Sequence, residues 1–284
     1  MPDGLAYVNG DLVPEAGAAL PVTDRGTMYG DAVFETMRAY GGRVFRMDAH
    51  LARLFASCEA LGFRPREPRA VLAEAILNLI ERNACPDAYV RLQVSRGCGT
   101  GPLPKGEMAP NAVILARPVR GYPARYYRTG MALVTSSVRV LAGGLGAHKT
   151  ASYLACVTAR REAAAGGADE AVLLNEHGRA AECAAANLFA VAGGVLVTPP
   201  ASEGGLPGVT RAAVLELARR ARRAIEERPL PRAELDAASE IFLTNSILEL
   251  APACALDERP VGSGRPGEVW RALAAAYREE VRHA

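Results

Sequence analysis

A mixed α/β (α+β) fold is what this sequence predicts, on three observations. Strand-like and helix-like apolar patterns alternate in both halves of the chain, as layered sheets and helices require. Glycine-containing dipeptides fall where neighbouring strands must turn back. At 284 residues, half of them apolar, the chain is long enough to bury one large core or two modest ones.

Leu5 to Val8 reads as a strand, and Asn9-Gly10 offers the tight turn of a hairpin. Phe34 to Tyr40 and Arg43 to Phe45 flank Gly41-Gly42, a second hairpin signal. Asp48 is placed as a helix N-cap, with Leu51, Leu54, Phe55, Cys58 and Leu61 following on one face. Val71, Leu72, Ala75, Ile76 and Leu79 mark another amphipathic helix. In Ala88 to Val94, Tyr89, Arg91 and Gln93 alternate with Val90, Leu92 and Val94. Such a strand is either half-exposed or turns its polar face into a site, and tyrosine with arginine suits an anionic ligand. Arg117 to Arg128, with two prolines and Gly121, reads as a linker.

Beyond it, Met131 to Thr135 reads as a strand and Ala151 to about Ala165 as a helix. Leu188 to Val191 and Val195 to Thr198 form a hairpin pattern around Gly193-Gly194. Thr210 opens a helix with Val214, Leu217 and Ala218 inward, and Ile241 to Thr244 is a short strand. Pro266 suits the first turn of a last helix, whose stripe is Val269, Leu273, Tyr277 and Val281. There is no internal repeat and no low-complexity tail.

A formal net charge of only +2 argues against nucleic acid or an acidic membrane as main partner. Arg219-Arg220-Ala221-Arg222-Arg223 reads as the wet face of a helix. No apolar stretch approaches the roughly 18 residues that span a bilayer, and Met1 to Gly10 lacks the marks of a signal peptide. The six cysteines form no C-x-x-C pair, and with four scattered histidines no metal site emerges. These features describe a reduced, cytoplasmic, globular protein.

Lys149 follows Gly143-Gly144-Leu145-Gly146-Ala147-His148 and precedes a helix-prone stretch. A lysine there either cradles a nucleotide phosphate or bonds covalently to a carbonyl cofactor. The nucleotide loop G-x-x-x-x-G-K-[ST] is matched by Gly143 and Lys149-Thr150, but its second glycine falls on His148. The apolar strands Val172-Leu173-Leu174 and Ile241-Phe242-Leu243 run into Asn175 and Thr244 rather than an acidic metal ligand. Elsewhere, Glu182 read alone is a surface carboxylate. Gly208-Val209-Thr210 is a helix start that serves either structure or a phosphate.

One ordered set of stretches joins these pieces. It runs Asp24-Arg25-Gly26, Tyr29-Gly30-Asp31-Ala32-Val33-Phe34-Glu35-Thr36, His50-Leu51-Ala52-Arg53-Leu54 and His148-Lys149-Thr150. It continues with Ala168-Asp169-Glu170-Ala171, Glu182 with Asn187-Leu188-Phe189, Thr198-Pro199 and Gly208-Val209-Thr210-Arg211. Together they resemble the class IV (fold type IV) aminotransferases, pyridoxal-phosphate (PLP) enzymes that include branched-chain and D-amino-acid aminotransferases and aminodeoxychorismate lyases.

That resemblance implies a smaller N-terminal α/β domain (1–116), a linker (117–128) and a larger pseudo-barrel-like domain (129–284), with PLP in the cleft between them. It implies a homodimer, and amino acids with 2-oxo acids as substrates. By the same resemblance Lys149 holds PLP as a Schiff base and shuttles a proton, which requires an amine of lowered pKa. Glu182 faces the pyridine nitrogen and favours the protonated ring. Arg53, Val209, Thr210 and Ser246 bind the phosphate, and Tyr153 approaches the phenolic oxygen. Phe34, Thr36, Tyr89, Arg91, Asn245 and Ile247 line the substrate pocket.

Within the family the signals divide. Tyr89-Val90-Arg91 resembles branched-chain aminotransferases, whereas Phe34-Glu35-Thr36, Thr244-Asn245-Ser246 and Glu182-Cys183-Ala184-Ala185-Ala186-Asn187 resemble the lyases. Ser95-Arg96-Gly97 is shared with the D-amino-acid branch among others. The expectation is an aminotransferase, with the lyase as alternative and a nucleotide-binding protein as outsider.

Overall fold

The computed structural model describes residues 4–104 and 106–282. Two compact units emerge. One runs to Arg120 and includes His148–Tyr153; the other holds Gly121–Ala147 and the chain from Leu154 on.

In the first unit, β1 (Leu5–Val8) and β2 (Asp11–Pro14) form a hairpin, with Asn9 and Gly10 both at positive φ as the Asn-Gly signal requires. Helix α1 (Arg25–Tyr29) leads into β3 (Ala32–Tyr40), which turns at Gly41-Gly42 into β4 (Arg43–Val44). Helices α2 (Met47–Ala60) and α3 (Arg69–Arg82) follow, then β5 (Ala88–Ser95) and β6 (Asn111–Pro118). The strands make one antiparallel sheet in the order β2-β1-β6-β5-β3-β4.

The register of β3 on β5 decides what each face carries. Val33, Glu35 and Met37 lie opposite Val94, Leu92 and Val90 on one face; Phe34, Thr36 and Arg38 lie opposite Gln93, Arg91 and Tyr89 on the other. The first face packs on Leu51, Leu54, Cys58, Leu72, Ile76 and Leu79 of the two helices. Burying each aliphatic chain there contributes about 1.5–3 kcal/mol.

The second unit opens with α4 (Arg125–Arg128), β7 (Met131–Val140) and α5 (Leu154–Ala165). Strands β8 (Glu170–Asn175), β9 (Arg179–Cys183), β10 (Asn187–Ala192) and β11 (Val195–Thr198) precede α6 (Val209–Arg220). Then come β12 (Ile225–Glu227), β13 (Leu230–Pro231), α7 (Arg232–Asp236), β14 (Glu240–Asn245), β15 (Glu249–Leu256), β16 (Arg259–Pro260) and α8 (Glu268–Arg282). The sheet order is β12-β11-β10-β14-β15-β7-β8-β9-β13, with β16 added beside β15. It curls into a half-barrel around a core that includes Val172, Leu188, Leu243 and Ala251.

Several boundaries differ from those the sequence predicts. Arg117 and Pro118 extend β6, and the last four residues of the expected linker form α4. Helix α2 starts at Met47 behind a left-handed Arg46, so Asp48 sits in the first turn, where it meets the helix dipole rather than capping. Val71 is exposed, and Ile80 takes its place on the buried stripe of α3. In α8 the buried stripe holds Trp270 in place of Val269. Helix α5 starts at Leu154, because Lys149–Ala151 pair with β3 instead: Phe34 N–H donates to the Lys149 carbonyl at 2.9 Å and Ala151 N–H to that of Ala32 at 2.8 Å.

A cap from outside the helix fixes α8. Glu240 of β14 accepts from the N–H groups of Val269 and Trp270, both at 3.0 Å. Glu240→Ala is expected to destabilise the protein by about 1–2 kcal/mol, read by urea denaturation. A change near zero would assign that anchoring to the apolar stripe alone.

Candidate functional site

Each unit carries one part of the predicted site, the first set by backbone pairing and the second by side-chain bonds to a loop. In the first unit, bridge pairing of Thr150 to Val33 brings Lys149 onto the polar face of β3. Lys149 Nζ lies 4.6 Å from the centre of the Phe34 ring and 5.9 Å from that of Tyr153, and the two rings meet edge to face. Arg91 stacks over Phe34 at 3.9 Å, its Nη2 donating to Gln93 at 2.9 Å. Thr36 lies directly across from Arg91 and shares the face of Phe34; Tyr89 is one pair further along, opposite Arg38. The fold thus gathers Lys149, Phe34, Thr36, Tyr89, Arg91 and Tyr153: an amine beside aromatic surface, with a guanidinium for an anion.

This geometry excludes the nucleotide loop. In such a loop the lysine and threonine open a helix. Here Lys149-Thr150 are strand-paired and the next helix begins at Leu154.

Arg53 reaches the same unit from α2, where its side chain is mostly buried. Its Nε and Nη2 donate to the two oxygens of Glu35, each at 2.7 Å, and His50 Nδ1 lies 2.7 Å from Glu35 Oε2. Burial pushes the Glu35 carboxyl up, but hydrogen bonds from His50 and Arg53 outweigh it and hold the group at about 2, below its usual 4.5. Burial pushes His50 below its ordinary value, with the charges of Arg53 and Lys149 adding to the effect against the pull of Glu35. His50 is therefore neutral at physiological pH and donates from Nδ1.

A carboxyl depressed by folding stabilises the native state above its unfolded pKa and loses that stabilisation as pH falls through the folded value. By this linkage the folded state favours ionised over protonated Glu35, and that advantage is fully present at neutral pH. Urea melts of the wild type and Glu35→Gln are expected to differ by a constant amount above roughly pH 5 and to converge toward pH 2. A difference independent of pH would remove the charge from the explanation.

In the second unit the loop before α6 is tied to β9 and β10. Leu206 N–H donates to Glu182 Oε2 at 2.9 Å, and Asn187 Nδ2 donates to the Leu206 carbonyl at 2.7 Å. Gly208, the N-cap of α6, makes no side-chain cap bond, and a Cβ there would collide with Asn187 Oδ1. A twelve-residue helix therefore starts with uncapped N–H groups at Val209 and Thr210, a ready anion site. Arg211 fastens this end: Nε donates to Thr198 Oγ1 at 3.1 Å and Nη2 to the Pro199 carbonyl at 2.9 Å.

Asn245 builds a turn with its side chain. Oδ1 accepts from Ile247 N–H at 2.9 Å and Leu248 N–H at 2.7 Å, and Nδ2 donates to the Ala185 carbonyl at 2.9 Å. Those bonds commit the amide to holding Ser246 and Ile247 in place. Asp24-Arg25 also serves structure: Asp24 caps α1 at Thr27, and Arg25 donates to Asp31 and to the carbonyls of Gly101 and Pro102. Among the described residues no cluster of three or more His, Cys, Asp or Glu side chains could hold a metal.

The sequence points to Arg53 but assigns no role to Glu35, His50 or Asn187. The signal for Glu35 was present, an acid between Val33 and Met37 on the core-facing alternation of β3.

Comparison with known proteins agrees over nearly the whole chain. Residues 32–256 match the family model described as amino-transferase class IV. A putative branched-chain-amino-acid aminotransferase of Methanocaldococcus jannaschii is 34% identical over 96% of this chain and 95% of its own. The D-alanine aminotransferase of Bacillus licheniformis is 28% identical over 96% of this chain and 95% of its own. The solved structure of the Escherichia coli branched-chain amino acid aminotransferase superposes with a TM-score of 0.93 at 31% identity, covering 98% of this chain and 94% of that one. That of the Thermobaculum terrenum branched-chain amino acid aminotransferase in its PLP form gives 0.89 at 27%, covering 99% and 94%.

Proposed function

This chain belongs to the class IV aminotransferase family, and from that premise we propose which residues carry the reaction and which amino acids enter it. It is a PLP-dependent aminotransferase, moving an amino group between an amino acid and a 2-oxo acid. When bound, PLP supplies the carbonyl that receives the amino group and a ring that withdraws electrons from the substrate Cα.

The residues present fit that group. Lys149 offers an amine beside aromatic surface, and Val209 and Thr210 offer uncapped helix N–H groups behind a glycine with no room for a side chain. In our reading Lys149 holds PLP covalently through Nζ, then carries a proton on that nitrogen to and from the substrate Cα. Glu182 faces the pyridine nitrogen and keeps its proton in place. Val209, Thr210, Arg53 and Ser246 hold the phosphate, and Tyr153 holds the phenolic oxygen.

The preferred donors in this reading are branched-chain amino acids. The observation that carries it is the Phe34 ring, with the Lys149 amine at 4.6 Å and the Arg91 guanidinium at 3.9 Å. Arg91 meets a carboxylate while Phe34 and Tyr153 exclude water around an aliphatic side chain. Support also comes from the names of the relatives, chiefly branched-chain aminotransferases. We further propose a homodimer, supported by exposed Val22, Met28, Tyr29 and Leu103 on one unit and Leu141, Leu145 and Leu154 on the other. Free cysteines support action in the cytoplasm; among the described residues no helix is long and apolar enough to cross a membrane.

The test is a panel of L- and D-amino acids offered to the PLP-loaded enzyme with 2-oxoglutarate or pyruvate. Leucine, isoleucine and valine are expected to give the highest kcat/KM. Preference for D-alanine, or faster pyruvate release from aminodeoxychorismate than any amino transfer, would overturn the substrate reading.

A further inference from the structure

Glu35 is fully buried on the helix-facing side of β3, with Val33 and Met37 on either side. A carboxylate is costly there unless protein groups replace its water. The replacements come from one helix. His50 and Arg53, three residues apart on α2, present Nδ1, Nε and Nη2 to the two carboxylate oxygens at 2.7 Å each.

The pairing is side-on. A guanidinium carries five N–H donors in one plane. With Nε–H and one Nη2–H on Glu35, that plane is fixed, and the Nη1 edge points away from the carboxylate within it. The same face of α2 continues to buried Ser57, whose Oγ lies 3.3 Å from Nδ1 of His148, the neighbour of Lys149. Phe34, the neighbour of Glu35, holds the Lys149 carbonyl. Stability alone does not call for an acid at this position, since apolar residues of similar volume commonly match or exceed a buried ion pair.

We propose that Glu35 is a positioning residue for the cofactor phosphate: it sets the plane of Arg53 so that the outward edge is presented to the anion, and His50 locks the carboxylate in that task. The proposal rests on the reading of Arg53 as a phosphate ligand. It adds a function for two residues that touch neither substrate nor cofactor.

The test is titration of the apoenzyme with PLP and, separately, with pyridoxal, which lacks the phosphate. Wild type, Glu35→Gln, Arg53→Gln and the double variant are compared, with a thermal melt of each. Glu35→Gln is expected to weaken PLP binding on the order of ten- to a hundredfold while leaving pyridoxal binding unchanged. In the Arg53→Gln background it should add little, because both changes remove one interaction. Parallel weakening of PLP and pyridoxal, unchanged PLP binding, or a full additional loss in the double variant would each overturn the proposal. Should Glu35→Gln fail to fold, Glu35→Asp keeps the charge and retracts it by one methylene; a smaller loss confined to PLP is expected, and wild-type PLP affinity would refute the idea. Failure of the underlying reading looks different: Arg53→Gln would itself leave PLP affinity intact.

Discussion

Lys149→Ala is expected to give a folded, colourless protein whose turnover falls by about 10⁴-fold or more, since the covalent anchor and the proton carrier leave together. The fold should survive because the backbone of this segment, not the side chain, pairs with β3 through the Lys149 carbonyl and the Thr150 bridge. Three measurements separate the possibilities. Wild type reduced with borohydride should carry a PLP-sized mass on the peptide containing Lys149. The variant should carry none, and its melting temperature without PLP should match that of the wild type. A label on another lysine, or turnover that survives the substitution, would move the chemistry away from this residue.

Glu182→Gln should retain bound PLP and lose turnover by about 10²–10³-fold, the usual cost of removing one preorganised electrostatic partner. Glutamine still offers an oxygen to the Leu206 N–H, now bound at 2.9 Å, so the loop before α6 keeps its anchor. What disappears is the negative charge that our reading sets against the ring nitrogen. The discriminating readout is the half-reaction followed in the cofactor's visible band. Binding should be close to normal, and loss of the band on adding amino acid should slow. A variant with full turnover would leave Glu182 as a loop anchor and nothing more.

The fold was largely legible because its signals are local. Asn9-Gly10, Gly41-Gly42 and Gly193-Gly194 sit at three hairpins, and the alternation in Ala88–Ser95 separates a buried face from a polar one. Helix ends were less legible because neither the backbone conformation that enters a helix nor a cap from another element is written in local periodicity. Arg46 enters α2 in a left-handed conformation, and α8 is capped by Glu240 from β14. Neither follows from the few residues around the start of the helix.

The sequence by itself determined the class of chemistry: an ordered set of short motifs around Lys149, Glu182 and Gly208-Val209-Thr210 sufficed to imply PLP and amino transfer and to name the residues we propose carry it. Tertiary structure alone decided what each of those residues leans on. Lys149 joins the first unit through β3 although the chain around it belongs to the second. Asn245 and Asn187 hold turns and loops. Glu35, an acid on an apolar face, finds His50 and Arg53 fifteen and eighteen residues away. The physical reason is distance along the chain: periodicity reports which face a residue occupies, while pairing of buried polar groups depends on which elements the fold lays side by side.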